Sequence, residues 1–211
     1  WSPDKYTFEV EPGDSFFEPD EVLGFKGRPG IFQLTLSDSL KIQVSHDSYG
    51  YRITRPDDLL KKDTIDPRPP IWIFGCSFTH GYGVNDEDNY PWLLQQELPN
   101  YKVKNFGMDG YGTYHSLLQY KRQIEINPLP ALVILAYGEF HDQRNVNNRY
   151  WKKALAGRDI AAGITFPFIR YDETGNLVTG MEKPEYNPWP LMRYSALVHF
   201  LENANNASEN E

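Results

Sequence analysis

The sequence predicts a three-layered α/β protein whose sheet contains three parallel strands, because short apolar segments alternate with longer segments of helical periodicity. The strands are expected at residues 71–74, 101–106 and 131–137, and the helices at 90–98 and 113–124. The short connections between these elements favour right-handed crossovers. The carboxyl ends of all three strands should therefore meet along one edge of the sheet, together with the loops that follow them.

The residues within each of these segments and at its ends favour the predicted strand or helix. The first strand is a β-branched and aromatic run that starts after Pro70 and ends at Gly75. Pro91 lies in the first turn of the first helix, where proline is tolerated. The apolar residues of that helix share one predicted face: Tyr90, Leu93, Leu94 and Leu98. The segment 131–137 is apolar throughout, which is typical of a strand that is buried on both faces.

Residues 1–68 differ in character from the rest of the chain and predict a small, loop-rich β module. Residues 31–36 and 41–45 alternate apolar and polar side chains, and four residues separate them, which indicates a hairpin with one buried face. A linker rich in proline and aspartate follows at residues 56–70. We therefore expect an N-terminal module at 1–68 and an α/β domain at 69–211.

The last third of the sequence contains fewer clear signals. We expect a turn at residues 172–175 and a helix at residues 189–201. The polar tail, residues 202–211, is expected to fray.

Composition excludes several classes of function. The net charge of −8 and the pI near 5.2 argue against a nucleic-acid partner, which would require a basic face. No apolar run is long enough to span a membrane. Cys76 is the single cysteine, which excludes an intrachain disulfide and a cysteine-based zinc site. The first loop lacks the glycine patterns of nucleotide and flavin sites, so we expect neither a cofactor nor a metal.

Ser77, in the loop after the first strand, is the residue with the clearest chemical meaning. Ligands of open α/β sheets bind just beyond the carboxyl ends of the strands. A serine at the start of the following helix exposes its hydroxyl beside backbone N–H groups that favour a developing oxyanion. The alternative is that Ser77 only caps the helix, since serine is a preferred N-cap residue. The elbow G-x-S-x-G does not fit, because Thr79 replaces its second glycine.

The segment Gly75-Cys76-Ser77-Phe78-Thr79 resembles the first block of the SGNH/GDSL hydrolase family, G-D-S-[FL]-[ST], with Cys76 in place of the aspartate. Residues 105–113 are similar to the second block, in which Gly110 would donate its N–H to an oxyanion. The alternative for Gly110 is an ordinary turn glycine. Residues 20–52 also resemble a β leader module of one branch of the family, D-x-x-L-G-[FY]-[KR]…P-G…G-[FY]-R.

The resemblance implies a flavodoxin-like sheet and a third oxyanion donor after the third strand. The third block of the family is G-x-N-D, and here His141-Asp142 stands where Asn-Asp is expected. A histidine N–H can donate the same hydrogen bond, and a neutral imidazole suits best because it adds no fixed charge. Asn145 is a second candidate if the loop folds back. The alternative is that His141 only caps the next segment.

The general base is missing from the pattern. The family supplies it from a C-terminal D-x-x-H, but none of the five histidines follows an aspartate at that spacing: His46, His80, His115, His141 and His199. His80 lies three residues after Ser77 and could share a helical face with it, although a surface or supporting role is preferred. The resemblance covers about residues 20–145. It implies that the 69–211 domain is incomplete at its C-terminus and that a missing segment or a partner chain completes the site.

Two functions remain open. The resemblance implies ester hydrolysis or acyl transfer on small acyl or carbohydrate esters, with Ser77 as nucleophile and the Ser77 N–H, Gly110 N–H and His141 side chain as oxyanion donors. The competing function is a non-catalytic module that binds an acyl or glycan ligand, which the missing Asp/His pair favours. The aromatic content of 15% suits both. The start at Trp1 and the habit of the family favour export or anchoring of the full-length protein.

Overall fold

The computed structural model describes residues 9–13, 15–36, 40–60, 66–156, 164–192 and 194–208. The strands in this part of the chain are β1 (Glu9–Glu11), β2 (Phe17–Asp20), β3 (Gly24–Gly27), β4 (Gly30–Thr35), β5 (Lys41–His46), β6 (Pro70–Phe74), β7 (Lys102–Asn105), β8 (Leu132–Leu135), β9 (Phe166–Tyr171) and β10 (Leu177–Glu182). The α-helices are α1 (Ser77–His80), α2 (Tyr90–Glu97), α3 (Thr113–Ile126), α4 (Phe140–Asn145), α5 (Arg149–Ala156) and α6 (Ala196–Ser208), and two 3₁₀ turns cover Pro56–Leu59 and Asp86–Asp88.

The predicted parallel sheet is confirmed. Its strand order is β7-β6-β8, and both pairs are parallel. Helix α2 packs Leu94 and Leu98 against one face of this sheet. On the other face, Tyr120 of α3 packs against Trp72 and Phe74 of β6. Helix, sheet and helix therefore form three layers, with β6 and the start of the Ser77 loop at the centre.

The apolar face predicted for the first of these helices is only partly correct. Leu94 and Leu98 face the sheet, whereas Tyr90 and Leu93 are 41% and 47% exposed. Asn89 caps the helix by accepting a hydrogen bond from the Trp92 N–H at 3.0 Å.

Strand β8 contradicts the prediction of a strand buried on both faces. Leu132, Val133 and Leu135 expose 51%, 42% and 46% of their surface. The reason is its position, because β8 lies at the edge of the sheet and pairs only with β6 among the described strands. An apolar run predicts a strand whose two faces could both be buried, but it does not predict whether neighbouring elements cover those faces.

The N-terminal residues form antiparallel strands, as predicted. β4 and β5 pair in the register Gln33↔Gln43, and β1 adds to the free side of β4. β2 and β3 form a second hairpin. The predicted turn at 37–39 lies outside the described residues. A core of Phe16, Phe32, Leu34 and Val44, among others, fills the inner face of this sheet. The division of the chain at residue 68 stays a prediction.

Arg52 joins the N-terminal strands to the α/β sheet. Its backbone forms isolated antiparallel β-bridges with His46 on one side and with Asn105, at the end of β7, on the other. Its guanidinium is 1% exposed. The Nε donates to Asp86 at 2.7 Å, and the terminal nitrogens donate to the backbone oxygens of Gln43, His80, Gly81 and Val84 at 3.0–3.2 Å. One side chain therefore ties the β5 hairpin to the loop that follows Ser77.

The C-terminal part departs most from the sequence prediction. The turn at 172–175 is confirmed, but it joins β9 and β10 into a hairpin that the sequence did not predict. The side chains of β10 are mostly exposed, so the segment lacks the apolar alternation that identifies a strand. Helix α6 starts at Ala196 rather than at Trp189 and extends to Ser208, so the tail up to that residue is helical rather than frayed. Within the described residues, no helix has the length and apolar character of a membrane span.

Replacement of Arg52 by methionine should destabilise the protein strongly, because it leaves the Asp86 carboxylate buried without a counter-charge. Breaking such a buried pair typically costs about 3–5 kcal/mol. The matched control is Lys26→Met, which breaks an ion pair with Glu18 at 3.1 Å whose side chains are about one third exposed and which should cost about 1 kcal/mol or less. Urea unfolding of both variants measures the difference, and equal losses would contradict the role of Arg52.

Candidate active site

The loops after β6, β7 and β8 are in contact with one another. The Met108 N–H donates to the Gly75 carbonyl at 3.4 Å. A Cβ added to Gly75 would lie 3.2 Å from the Cβ of Ala136, so the first and third loops also touch. The Thr113 hydroxyl lies 3.3 Å from Nδ1 of His141. The loops that contain Ser77, Gly110 and His141 therefore meet at one edge of the sheet.

Ser77 lies at the first position of α1, and Cys76 rather than Ser77 occupies the N-cap position. The Ser77 side chain is half-buried, and its hydroxyl forms no hydrogen bond with any described residue. Helix α1 is a single turn that ends at Gly81, whose φ of +87° is in the left-handed region. A macrodipole is the sum of aligned peptide units, so one turn contributes little. The local N–H groups, rather than a long helix, are what this position offers an anion.

Contacts beneath the Ser77 turn hold it in place. The Asn105 side-chain amide donates to the Thr79 carbonyl at 2.8 Å, and its oxygen accepts from the Gly107 N–H at 2.9 Å. The Tyr90 hydroxyl donates to the Thr79 hydroxyl at 2.9 Å. A Cβ on Gly107 would lie 2.5 Å from the Cβ of Thr79, so the two loops can approach this closely only with glycine at that position.

Gly110 has a φ of +84°, which favours glycine, and its Cα faces Trp151 and Phe25. Its N–H donates to no described group, and the same is true of the Ser77 N–H. A turn glycine would show the same backbone angle. The two loops therefore each contain one backbone N–H group without a partner among the described residues.

His141 is buried at the start of α4, with Nδ1 beside the Thr113 hydroxyl and with no hydrogen-bond partner for Nε2 among the described residues. Burial lowers the pKa of His141 to about 4, the charge of Arg144 adds to this effect, and Asp142 opposes it. The imidazole is therefore neutral at neutral pH. Buried polar atoms normally have a partner, so Nε2 is an exception among the described residues.

Asn145 has a structural role in this arrangement. Its side-chain oxygen accepts the Tyr114 N–H at 2.8 Å and so caps the start of α3. A Cβ on Gly112 would lie 2.6 Å from this oxygen, so the cap needs glycine beside it. The loop does fold back towards the site, but the amide is oriented by the helix that it caps.

His80 is fully buried, which excludes the surface role and leaves the supporting role of the two that were expected. Its Nδ1 lies 3.1 Å from Oδ1 of Asp109, and its Nε2 lies 2.9 Å from Nε2 of His46. Its ring stacks on Phe16 with 5.7 Å between the centroids. Both nitrogens face other side chains, so His80 is not available to take a proton from Ser77.

The remaining histidines do not supply a base either. His115 stacks on Tyr111, and burial lowers its pKa to about 3. His199 is exposed on α6 and lies next to Asn203. No histidine of the described residues forms a hydrogen bond with the Ser77 hydroxyl. In the same part of the chain, no cluster of three or more histidine, cysteine, aspartate or glutamate side chains is arranged to hold a metal ion.

His46, Asp109 and Arg52 support the site, although the sequence alone does not predict this role for them. Arg52 belongs to the leader pattern G-[FY]-R, so a signal was present for it. His46 and Asp109 lie 34 residues before and 29 residues after His80 in a chain with no local pattern that connects them.

Comparison with known proteins finds a distant structural likeness. Three solved structures of the SGNH-hydrolase family esterase AlinE4, two of them mutants, are 25–26% identical to this chain, with a TM-score of 0.34. The similarity covers 47% of this chain and 54% of those chains, so the chain matches about half the length of these structures. No family model and no curated protein matches the chain.

The His141 ring should stay neutral down to about pH 4. In the unfolded chain a histidine titrates near pH 6.5, so the unfolded state binds this proton first as the pH falls. The contribution of His141 to stability is therefore lost between about pH 6.5 and pH 4. Imidazole NMR resonances, assigned with His141→Gln, measure the titration directly. A midpoint near that of a free histidine would contradict the neutral, desolvated ring.

Proposed function

We propose that this chain contains the nucleophile and the oxyanion site of a serine ester hydrolase or acyltransferase. The observation that supports this most is the uncommitted hydroxyl of Ser77 at the junction of three loops, which also carry the free N–H groups of Ser77 and Gly110 and the neutral imidazole of His141. The resemblance of residues 75–79 and 105–113 to the SGNH/GDSL blocks points to the same chemistry.

In this proposal the Ser77 oxygen attacks the acyl carbon, and negative charge develops on the former carbonyl oxygen. The two backbone N–H groups donate to that oxygen. The loss of one such donor typically lowers the rate about a hundredfold or more.

His141 supplies the third donor if its single proton is on Nε2. The Thr113 hydroxyl, 3.3 Å from Nδ1, favours this tautomer when it donates its own proton to Nδ1. The Nε2 atom is covered in the structure. Phe140 and Tyr137 pack against the ring with centroid distances of 5.0 and 5.6 Å, so substrate binding has to open a path beside them.

The general base comes from outside the described residues in this proposal, from a further segment or from a partner chain. Its absence here is supported by the placement of the described histidines, none of which is bonded to Ser77. The exposed apolar side chains of β8 leave room for further elements beside the third loop. The 69–211 domain would then be completed by that addition.

The substrate class is a small acyl or carbohydrate ester. Phe78, next to Ser77, is 74% exposed, and its ring lies 6.0 Å from that of Phe140. This pair offers an apolar surface to an acyl chain or to the face of a sugar ring beside the nucleophile.

A non-catalytic module that binds an acyl or glycan ligand is the second candidate. The specific observation in its favour is that both nitrogens of His80, the histidine closest to Ser77 in sequence, are occupied by Asp109 and His46. The same loops would then hold a ligand without turnover.

Labelling by a fluorophosphonate separates the two candidates, because the probe reacts only with an activated nucleophile. Since no described histidine is bonded to Ser77, the protein should be labelled at Ser77 once imidazole is added as an external base. Ser77→Ala should abolish the label, whereas Ser48→Ala, the same change at an exposed serine, should leave it unchanged. Mass spectrometry of the labelled peptide identifies the site. No labelling with or without imidazole would favour the binding module, and labelling that persists in Ser77→Ala would remove Ser77 as the nucleophile.

His141→Ala should lower kcat for p-nitrophenyl acetate by about a hundredfold, with little change in KM, because the lost hydrogen bond forms only in the transition state. Thr113→Val should lower kcat in the same direction, since it removes the hydroxyl that favours the Nε2 proton. The control is His199→Ala on exposed α6. The assay is run with imidazole and corrected with Ser77→Ala. A rise in KM at constant kcat would instead make His141 a ground-state substrate contact.

A further inference from the structure

Three buried side chains form a continuous line beneath the proposed site. His46 is at the end of β5, His80 closes the α1 turn that Ser77 begins, and Asp109 immediately precedes Gly110 in the second loop. They are 1%, 0% and 5% exposed. The line therefore connects the N-terminal strands, the nucleophile turn and the oxyanion loop.

Both ends of this line are hydrogen-bond acceptors. The Nδ1 of His46 lies 2.9 Å from the Arg28 carbonyl oxygen. The Nδ1 of His80 lies 3.1 Å from Oδ1 of Asp109, an ion-pair distance at an angle that falls short of a hydrogen bond, and neither atom has another hydrogen-bond partner among the described residues. A carbonyl accepts only, and a bare nitrogen lone pair would repel a carboxylate at that distance. Each histidine therefore needs a proton on Nδ1, or Asp109 needs to supply one.

The centre of the line then lacks a proton. Two neutral histidines that both hold their proton on Nδ1 would point the lone pairs of their Nε2 atoms at each other across 2.9 Å. A hydrogen can lie between the two atoms of each of the three contacts only when the group of His46, His80 and Asp109 holds three protons. Two neutral histidines and an ionised carboxylate hold two, so the buried line binds one extra proton and is then electrically neutral.

The surrounding charges indicate where that proton resides. Burial, together with the charges of His80 and Arg52, holds the pKa of His46 well below its usual value, so His46 is the neutral member. The other charged groups at this place are Arg52, which donates to the His80 carbonyl, and Asp86, which pairs with Arg52 at 2.7 Å. Since Arg52 and Asp86 neutralise each other, Asp109 is the carboxylate left to balance a charge on His80.

We propose that His80 is a positioning residue that holds a bound proton in the core. The resulting His80–Asp109 ion pair fixes the position of the Ser77 turn relative to the Gly110 loop. His46 extends the same link to the N-terminal strands. The effect on the reactivity of Ser77 rests on the proposed function, whereas the binding of the proton depends only on the folded structure. Loss of the proton leaves a buried carboxylate unpaired and two nitrogen lone pairs opposed, which loosens both loops together.

Asp109→Asn tests this proton count with almost no change in shape. The asparagine amide can donate to Nδ1 of His80, which moves the single proton of His80 to Nε2, from which it donates to His46. Each of the three contacts then has one hydrogen between its two atoms, and all three side chains are neutral. In the parent protein, the folded state binds one more proton than the unfolded state above about pH 7, so stability falls as the pH rises. The unfolding equilibrium constant should rise by up to about tenfold per pH unit for as long as the folded state keeps the proton that the unfolded chain has released, and it should level off once the folded state loses that proton.

The measurement is urea unfolding from pH 6 to 9.5 on the parent chain, Asp109→Asn and Asp57→Asn, the last being the same change at an exposed position. The steep alkaline loss should be present in the parent and in Asp57→Asn and should disappear in Asp109→Asn. Equal alkaline slopes in all three proteins would overturn the proposal.

A second readout needs no variant. Nitrogen-15 NMR of the imidazoles at neutral pH should show His80 with both nitrogens protonated, and a single protonated nitrogen on His80 with Asp109 ionised would overturn the proposal.

The rate of fluorophosphonate labelling of Ser77 should fall over the same alkaline range in the parent but not in Asp109→Asn. If Ser77 is never labelled, the proposed function fails while the unfolding slopes still decide the proton. If Ser77 is labelled but the slopes do not differ, the function stands and the role of His80 fails.

Discussion

The geometry of the candidate site depends on the buried guanidinium of Arg52. All of its donors are used, and three of the oxygens that it binds belong to the segment just after Ser77, from the His80 carbonyl to that of Val84. That segment has little regular structure of its own, because α1 is one turn. Buried backbone oxygens need a donor, and here the donor comes from the N-terminal part of the chain. The N-terminal strands are therefore part of the support of the site rather than a separate attachment to it.

The sequence predicts the elements of this fold better than their surroundings. The alternation at residues 31–36 and 41–45 and the apolar run at 71–74 report the side chains of the strands themselves, and these strands form as expected. The exposure of β8 depends instead on what lies beside it, which no local pattern records. The β9–β10 hairpin was missed for a different reason, since β10 is mostly exposed and β9 is buried only in its first half, so neither strand alternates apolar and polar side chains clearly.

The site shows the same division between topology and environment. Parallel strands place their following loops at one edge, so the proximity of the loops of Ser77, Gly110 and His141 follows from the fold class. The neutral state of His141 follows from burial and from the charge of Arg144, which only the packed structure defines. The spacing of His80 from Ser77 suggested a shared helical face. In the structure the turn separates them, with Ser77 half-buried at the loop junction and His80 fully enclosed.

The His80–Asp109 pair shows why a buried histidine beside a carboxylate is not by itself a catalytic base. A base for Ser77 needs a neutral imidazole with one nitrogen free to face the hydroxyl and the other oriented by the carboxylate. Here one nitrogen faces Asp109 at 3.1 Å and the other faces His46 at 2.9 Å, so neither nitrogen is free to face the hydroxyl. The pair can stabilise the loops on either side of the reaction, but it cannot start the reaction. Among the described residues, no histidine is therefore placed to act as a base for Ser77.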